Sequence, residues 1–98
     1  MKQKFFRGQR VKLDSKFPKH MDHFGGKGVE AIVVASYSDL YGGGNFSSFQ
    51  LLILDRKHYY NSAWYPEDLM TLISDNRKAG EVIIQMHNED LIMEEVYG

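Results

Sequence analysis

The chain has 98 residues, of which 43% are hydrophobic and 26% are charged, and its formal net charge is −1. This length suits a single domain with one modest core, and the composition excludes an intrinsically disordered chain. Because the chain contains no cysteine, a disulfide framework and a thiolate metal site are both excluded. The N-terminal residues contain no apolar leader segment, and no apolar run is long enough to cross a bilayer. We therefore expect a cytoplasmic protein without a membrane partner.

Charge is distributed unevenly along the chain. Residues 1–30 hold eight Lys or Arg and three Asp or Glu, whereas residues 31–98 hold four and ten. Such asymmetry is compatible with a nucleic-acid-binding face or with an acidic tail. The alternative is that the two chain ends lie together and neutralise each other. We favour the latter, because the termini of small domains commonly lie close together.

The first predicted strands flank a long loop. Residues 9–13, QRVKL, alternate aliphatic and polar side chains, the period-two pattern of a half-buried strand. Residues 14–28 have no periodicity and are interrupted by proline and glycine, which predicts a loop. A loop of this length is uncommon in a compact domain unless it binds something or packs on its own aromatics. Residues 29–37, VEAIVVASY, are rich in β-branched residues and are apolar on both faces for part of their length, which predicts a central strand.

Glycines mark the next turn. Residues 42–44 are three successive glycines, and they favour a hairpin tip because glycine accepts positive φ angles without steric cost. A phosphate loop is disfavoured, since no Lys-Ser or Lys-Thr follows the glycines. Residues 49–55, FQLLILD, predict the following strand, and residues 56–61 predict a second hairpin connection.

The segment SAWYPEDLMTLI, residues 62–73, predicts a strand, a 3₁₀ turn and a last short strand. Pro66 ends the first strand because proline cannot donate to the ladder, and we expect the 3₁₀ turn over residues 66–69. Trp64 and Tyr65 are neighbours on a strand, so they face opposite sides; we expect Trp64 to face the core and Tyr65 the solvent. The predicted core consists of Val11, Leu13, Val33, Leu52, Leu54, Trp64, Leu69 and Leu72.

Two interpretations remain open for residues 74–98. A helix capped by Ser74 or Asp75 fits the spacing of the apolar residues, and we favour it. Gly80 and the β-branched run at residues 82–84 weaken a helix, and a hairpin turning at residues 88–90 is the alternative.

The order of these elements resembles a known architecture. FFRGQRVKL, GKGVEAIVVASY and the strand–3₁₀–strand ending resemble the SH3-like barrels of KOW, Tudor and related bacterial modules. More narrowly, HF…AIVVASYSDLYGGG…FQLLIL…AWYPEDLMTLI is similar to small barrels encoded by phages and other mobile elements. The resemblance implies a mainly β fold, an SH3-like small barrel of about five short antiparallel strands over residues 1–73. Residues 74–98 would form an extension that docks on the barrel or on a partner.

The resemblance implies a binding module without a fixed chemistry, because one fold hosts many functions. We expect a protein-binding module, such as a phage-type inhibitor or adaptor acting on a host protein, with no cofactor. Its groove would combine the long loop with the hairpin aromatics, while basic residues would steer an acidic partner. The predicted groove residues are Phe24, Tyr41, Phe46, Tyr59, Tyr60, Tyr65, Lys19, Lys27 and Arg56.

Two alternatives of other classes remain. The basic N-terminal third and the aromatic residues would also suit a nucleic-acid-binding module. A metal-dependent regulator or small enzyme would use His20, Asp22 and His23 in the long loop. Because HMDH matches no strong ligand spacing and no nucleophile motif is present, we expect neither a metal nor catalysis.

Overall fold

A computed structural model describes residues 3–14, 28–54 and 64–97, with side chains described as far as Asp90. These residues form five strands, two helices and one 3₁₀ turn. The turn spans Glu67–Leu69, and the remaining elements are β1 (Arg10–Leu13), β2 (Glu30–Ser36), α1 (Tyr37–Tyr41), β3 (Ser48–Ile53), β4 (Tyr65–Pro66), β5 (Met70–Ser74) and α2 (Arg77–Tyr97).

The five strands form one antiparallel sheet in the order β4-β3-β2-β1-β5. β5 returns to the first strand of the chain, where Met70 lies opposite Leu13. The 3₁₀ turn links β4 at one edge of the sheet to β5 at the other. The predicted mainly β fold of five short antiparallel strands is confirmed, and this topology is compatible with a small barrel.

The predicted strands are present with shifted ends. Tyr37 belongs to α1 rather than to β2. Pro66 pairs with Ser48 as part of β4 and precedes the 3₁₀ turn instead of opening it. A proline is tolerated there because β4 is an edge strand, whose outer side needs no ladder donor.

One face of the sheet carries the main hydrophobic core. Phe49 and Tyr65 are opposite each other on β3 and β4, and both are fully buried. Phe5 from the N-terminal segment packs edge-on against Phe49, with ring centroids 5.6 Å apart. The other members of this core are Val11, Leu13, Ala31, Val33, Leu51, Ile53 and Met70.

The predicted orientations of Trp64 and Tyr65 are wrong. Tyr65 faces the core and Trp64 is half-buried. The register explains the reversal, because Tyr65 lies opposite the buried Phe49 and cross-strand partners share a face. Leu72 is also misassigned, since it is 47% exposed on the edge strand β5. Leu54 and Leu69 are half-buried rather than fully buried.

Helix α2 covers the other face of β2 and β3. Ile84 is buried against Ile32 and Leu52, so the two central strands are buried on both sides. This second layer accounts for the continuous apolar character of β2. The helical interpretation of the C-terminal segment is confirmed. Its cap is Asn76 rather than Ser74 or Asp75, because the N–H of Ala79 donates to Asn76 Oδ1 over 3.2 Å.

Two glycines allow α2 to approach the N-terminal segment. A Cβ on Gly80 would lie 1.8 Å from the carbonyl oxygen of Gly8, and a Cβ on Gly8 would lie 2.6 Å from that of Arg77. Both distances are far below the van der Waals contact distance, so neither position accepts a side chain unless the backbone moves. Gly80 weakens helix propensity, yet it is the residue that permits this crossing.

Polar contacts surround the crossing. The buried Gln9 accepts a hydrogen bond from the N–H of Phe6 and donates Nε2 to Asp75 Oδ1 over 2.6 Å. Arg7 Nε lies 2.6 Å from Glu81 Oε1 on α2. The hydrogen bond from Gln9 and then that from Arg77 hold the pKa of Asp75 below its ordinary value. The N-terminal segment and the start of α2 are therefore joined by several directional contacts.

Candidate functional site

The candidate site begins where β2 becomes α1. The N–H of Asp39 donates to Ser36 Oγ over 3.0 Å, and the N–H of Ser36 donates to Asp39 Oδ2 over 2.8 Å. This reciprocal pair is a capping box, which satisfies two donors that a helix start would otherwise leave free. Because Ser36 is fully buried, the first turn of α1 is anchored to the sheet.

This anchored turn presents two tyrosines on one side. Tyr37 and Tyr41 are four residues apart, a spacing that brings side chains together on a helix. Their ring centroids are 4.9 Å apart, with the ring planes inclined by 43°. Tyr37 is 37% exposed and Tyr41 is 68% exposed. The pair therefore forms a contiguous aromatic surface open to solvent.

Trp64, the residue before β4, completes the group. Its ring lies 4.9 Å from that of Tyr37 and 5.9 Å from that of Tyr41, both in edge-on geometry. These separations are typical of stabilising aromatic pairs. We call Tyr37, Tyr41 and Trp64 the aromatic cluster. The aromatic cluster therefore joins α1, which follows β2, to the residue that precedes β4.

The glycine run closes this end of the sheet. Gly42, Gly43 and Gly44 have φ angles of 73°, 87° and 77°, in agreement with the positive φ predicted from the three glycines. The N–H of Gly42 donates to the carbonyl of Ser38 over 2.8 Å and ends α1. The connection between β2 and β3 is therefore a one-turn helix followed by this loop.

The loop is held by hydrogen bonds at several points. The N–H of Gly44 donates to Ser38 Oγ, and the N–H of Ser38 donates to the carbonyl of Asn45. The N–H of Glu67 donates to the carbonyl of Ser47 over 2.9 Å. This last bond places the 3₁₀ turn beside the loop that follows α1.

The segments that build this region carry only negative charge. Residues 31–54 and 64–74, which include most of the sheet, contain Asp39, Glu67 and Asp68 and no Lys or Arg. Asp39 and Asp68 are exposed, and Glu67 is half-buried. The 3₁₀ turn therefore places Glu67 and Asp68 beside the loop that follows α1, whereas the Asp39 carboxylate accepts the N–H of Ser36 within the capping box.

The predicted groove residues divide into two groups. Tyr41 is exposed, Phe46 is half-buried, and Tyr65 is in the core, so its predicted solvent-facing orientation is wrong. The remaining groove residues and the candidate metal ligands lie outside the described residues: Phe24, Tyr59, Tyr60, Lys19, Lys27, Arg56, His20, Asp22 and His23.

The predicted groove did not include Tyr37 or Trp64. A local signal for α1 is present in SYSD, residues 36–39, because Ser followed three residues later by an acid is a capping-box pattern. The spacing of Tyr37 and Tyr41 then predicts one aromatic face. No comparable local signal predicts the contact with Trp64, which depends on the packing of β4.

A shallow depression lies near the opposite end of β2 from the aromatic cluster. Arg10, Gly28, Val29, Glu30 and Leu54 line it. Arg10 Nε and Glu30 Oε1 form an ion pair at 2.6 Å, and both side chains are about 40% exposed. Two paired charges on an open surface provide no evident chemistry.

Metal-ligating residues do not assemble in the described part of the chain, where no three His, Cys, Asp or Glu side chains converge. No helix in the same ranges is long and apolar enough to cross a membrane. Comparison of the chain with protein-family models, with curated proteins and with solved structures finds no match.

Proposed function

We propose that this protein is a non-catalytic binding module that recognises another protein through the aromatic cluster. The observation that carries the proposal is the exposure of Tyr37 and Tyr41 while their rings are held against Trp64. Tyrosine and tryptophan dominate the binding energy of protein interfaces because they bury large areas at low entropic cost. Leu40, also on α1, is 50% exposed and enlarges the apolar surface.

Preorganisation supports the same function. A binding surface loses less free energy on association when its side chains are already ordered. Here the capping box of Ser36 and Asp39 fixes α1, and the three rings limit one another's rotation. The aromatic cluster is therefore a preformed anchor rather than a set of independent side chains.

The finer fold assignment is part of this proposal. The return of β5 to β1 and the 3₁₀ turn between β4 and β5 support an SH3-like barrel. We include in the proposal the role of a phage-type inhibitor or adaptor that acts on a host protein in the cytoplasm. Such a role requires binding without turnover, which an aromatic surface on a small barrel can supply.

A nucleic-acid ligand at the aromatic cluster is disfavoured. Phosphate backbones are bound by Lys and Arg, whereas the described segments 31–54 and 64–74 contain Asp39, Glu67 and Asp68 and no Lys or Arg. Stacking on the rings alone would have to offset that repulsion.

Affinity capture from host lysate tests the proposal. The immobilised full-length chain is compared with Tyr41→Ala and with Tyr37→Ala/Tyr41→Ala, each shown by circular dichroism to remain folded. Met86→Ala is the matched control, because Met86 is also apolar and is 59% exposed on α2. A protein retained by wild type and Met86→Ala but lost by both tyrosine variants supports the proposal. Retention by the double variant contradicts it, and a gel shift of wild type that both tyrosine variants abolish would indicate a nucleic-acid ligand instead.

A further inference from the structure

The partner surface that meets the aromatic cluster can be assigned a charge. Glu67 and Asp68 lie in the 3₁₀ turn, which is hydrogen-bonded to the loop that follows α1. No Lys or Arg occurs in the described segments 31–54 and 64–74. Arg7 reaches β2, where its Nη1 donates to the carbonyl of Val34 over 3.4 Å, but its charge is paired with Glu81. We propose that the aromatic cluster binds a cationic segment of the partner protein, one that presents Arg or Lys. This inference rests on the proposed function and specifies its ligand.

The exposed ring faces provide the first half of the recognition. Cations are attracted to the faces of Trp and Tyr, and guanidinium groups also stack on them. Because the three rings contact one another at 4.9–5.9 Å, a cation does not fit between them. It binds instead over the outer face of Tyr41, which at 68% is the most exposed residue of the aromatic cluster. Arg77 makes the same kind of contact elsewhere in this chain, with its Cζ 4.7 Å from the Phe6 ring centroid.

The carboxylates provide the second half. Asp68 is exposed, and Glu67 is half-buried in the same turn. An anionic rim attracts a cationic segment over about a Debye length, roughly 8 Å at physiological salt, and repels an acidic one. The basic residues predicted to steer an acidic partner, Lys19, Lys27 and Arg56, lie outside the described residues.

The single tryptophan makes the test specific to the site. Because Trp64 is the only tryptophan, its fluorescence reports directly on the aromatic cluster in the full chain. The probes are three blocked octapeptides, (Gly-Arg)₄, (Gly-Lys)₄ and (Gly-Glu)₄. We expect a saturable change in Trp64 emission with the first two peptides and none with the third. The affinity should fall as salt is raised, since exposed charges contribute to it.

Two pairs of variants separate local recognition from general charge attraction. Glu67→Gln/Asp68→Asn neutralises the rim beside the aromatic cluster, and Glu89→Gln/Asp90→Asn removes the same charge from exposed positions on α2. We expect the first pair to weaken (Gly-Arg)₄ binding several-fold and to flatten its salt dependence, and the second pair to leave both nearly unchanged. Tyr41→Ala should weaken binding by roughly tenfold through loss of the ring face.

Three results would overturn the inference. They are the absence of any Trp64 response to the cationic peptides, an equal response to (Gly-Glu)₄, and equal losses of affinity in the two neutralised pairs.

The capture experiment remains independent of these results. If Tyr41→Ala loses a captured protein while no cationic peptide binds, the proposed function stands and the cationic ligand is wrong. If wild type captures no protein that Tyr41→Ala loses, the proposed function itself is wrong.

Discussion

Trp64 and Tyr65 are adjacent in the chain and have opposite surroundings. Tyr65 is fully buried in the main core opposite Phe49, whereas Trp64 is half-buried and contributes its ring to the aromatic cluster. A single residue of strand register therefore decides which of the two stabilises the fold and which is available to a ligand.

This assignment predicts different costs of truncation. Tyr65→Ala should lower the free energy of unfolding by about 3–5 kcal/mol, because it leaves a large cavity in a closed core. Trp64→Ala should cost clearly less, since part of its ring already contacts solvent. Urea denaturation followed by circular dichroism measures both. A larger loss for Trp64→Ala would contradict the observed orientations.

Gly43 belongs to a loop in which backbone conformation, not packing, restricts substitution. Its φ angle is 87°, a value that side chains with a Cβ rarely adopt. A Cβ at this position would meet no atom of the described residues within 4 Å. Only local backbone strain therefore opposes a side chain here.

We expect Gly43→Val to destabilise the protein by on the order of 1 kcal/mol or more, because a β-branched residue strongly disfavours positive φ. Gly43→Asn should cost less, since asparagine tolerates this region. Thermal melting of the two variants provides the comparison. Equal melting temperatures for wild type and Gly43→Val would show that the loop adjusts without cost.

Among the secondary-structure elements, α2 owes its position to Gly80. Helix propensity alone predicts that Gly80→Ala stabilises a helix by about 1 kcal/mol. The structure predicts the opposite sign, because the new methyl group would lie 1.8 Å from the Gly8 carbonyl oxygen. Overpacking of this kind commonly costs about 1–3 kcal/mol.

Chemical denaturation of Gly80→Ala shows whether the substitution raises or lowers the free energy of unfolding. Lys78→Ala is the matched control, since Lys78 is exposed in the same turn of α2 and should change stability little. If Gly80→Ala is more stable than wild type, the backbones of α2 and the N-terminal segment are not in direct contact at Gly8.

Across the molecule as a whole, two apolar layers and a polar junction hold the sheet, the N-terminal segment and the start of α2 together. The basic N-terminal segment meets acidic residues of the C-terminal region through the Arg7–Glu81 ion pair and the Gln9–Asp75 hydrogen bond. These contacts involve the start of α2 and leave untested the expectation that the two chain ends lie together. The exposed ion pair itself contributes little stability, because water and salt screen it.

Asp75 gives this junction a pH dependence. Its pKa is lowered from 3.8 in the folded protein, first by the hydrogen bond from Gln9 and then by that from Arg77. A carboxylate with a depressed pKa stabilises the fold fully above its unfolded pKa, and this contribution is lost as the pH falls through the folded value. The wild type should therefore lose stability below about pH 4 relative to Asp75→Asn, which keeps an acceptor but has no charge to titrate.

Urea midpoints of wild type and Asp75→Asn, measured from neutral pH down into the acid range, quantify this difference. The difference in urea midpoint between wild type and Asp75→Asn should change as the pH falls below 3.8, the ordinary pKa of this carboxyl group. Parallel curves throughout the range would mean that the pKa of Asp75 is the same in the folded and unfolded states.

Features that depend on near neighbours were predictable from the sequence. Alternation identified β1, continuous β-branched residues identified β2, and proline and the acids identified the 3₁₀ turn. Positive φ at residues 42–44 followed from glycine alone. The capping-box pattern of SYSD is also a local signal, because it involves residues only three positions apart.

Features that depend on contacts between distant segments required the folded chain. The orientation of Trp64 and Tyr65 follows from pairing with β3, since a strand of two residues has no periodicity of its own. The aromatic cluster exists because β4 brings Trp64 to Tyr37 and Tyr41. Gly80, unfavourable for an isolated helix, is required where α2 crosses Gly8. In each case the energy that selects the arrangement comes from burial and steric contact across the fold, which local sequence does not encode.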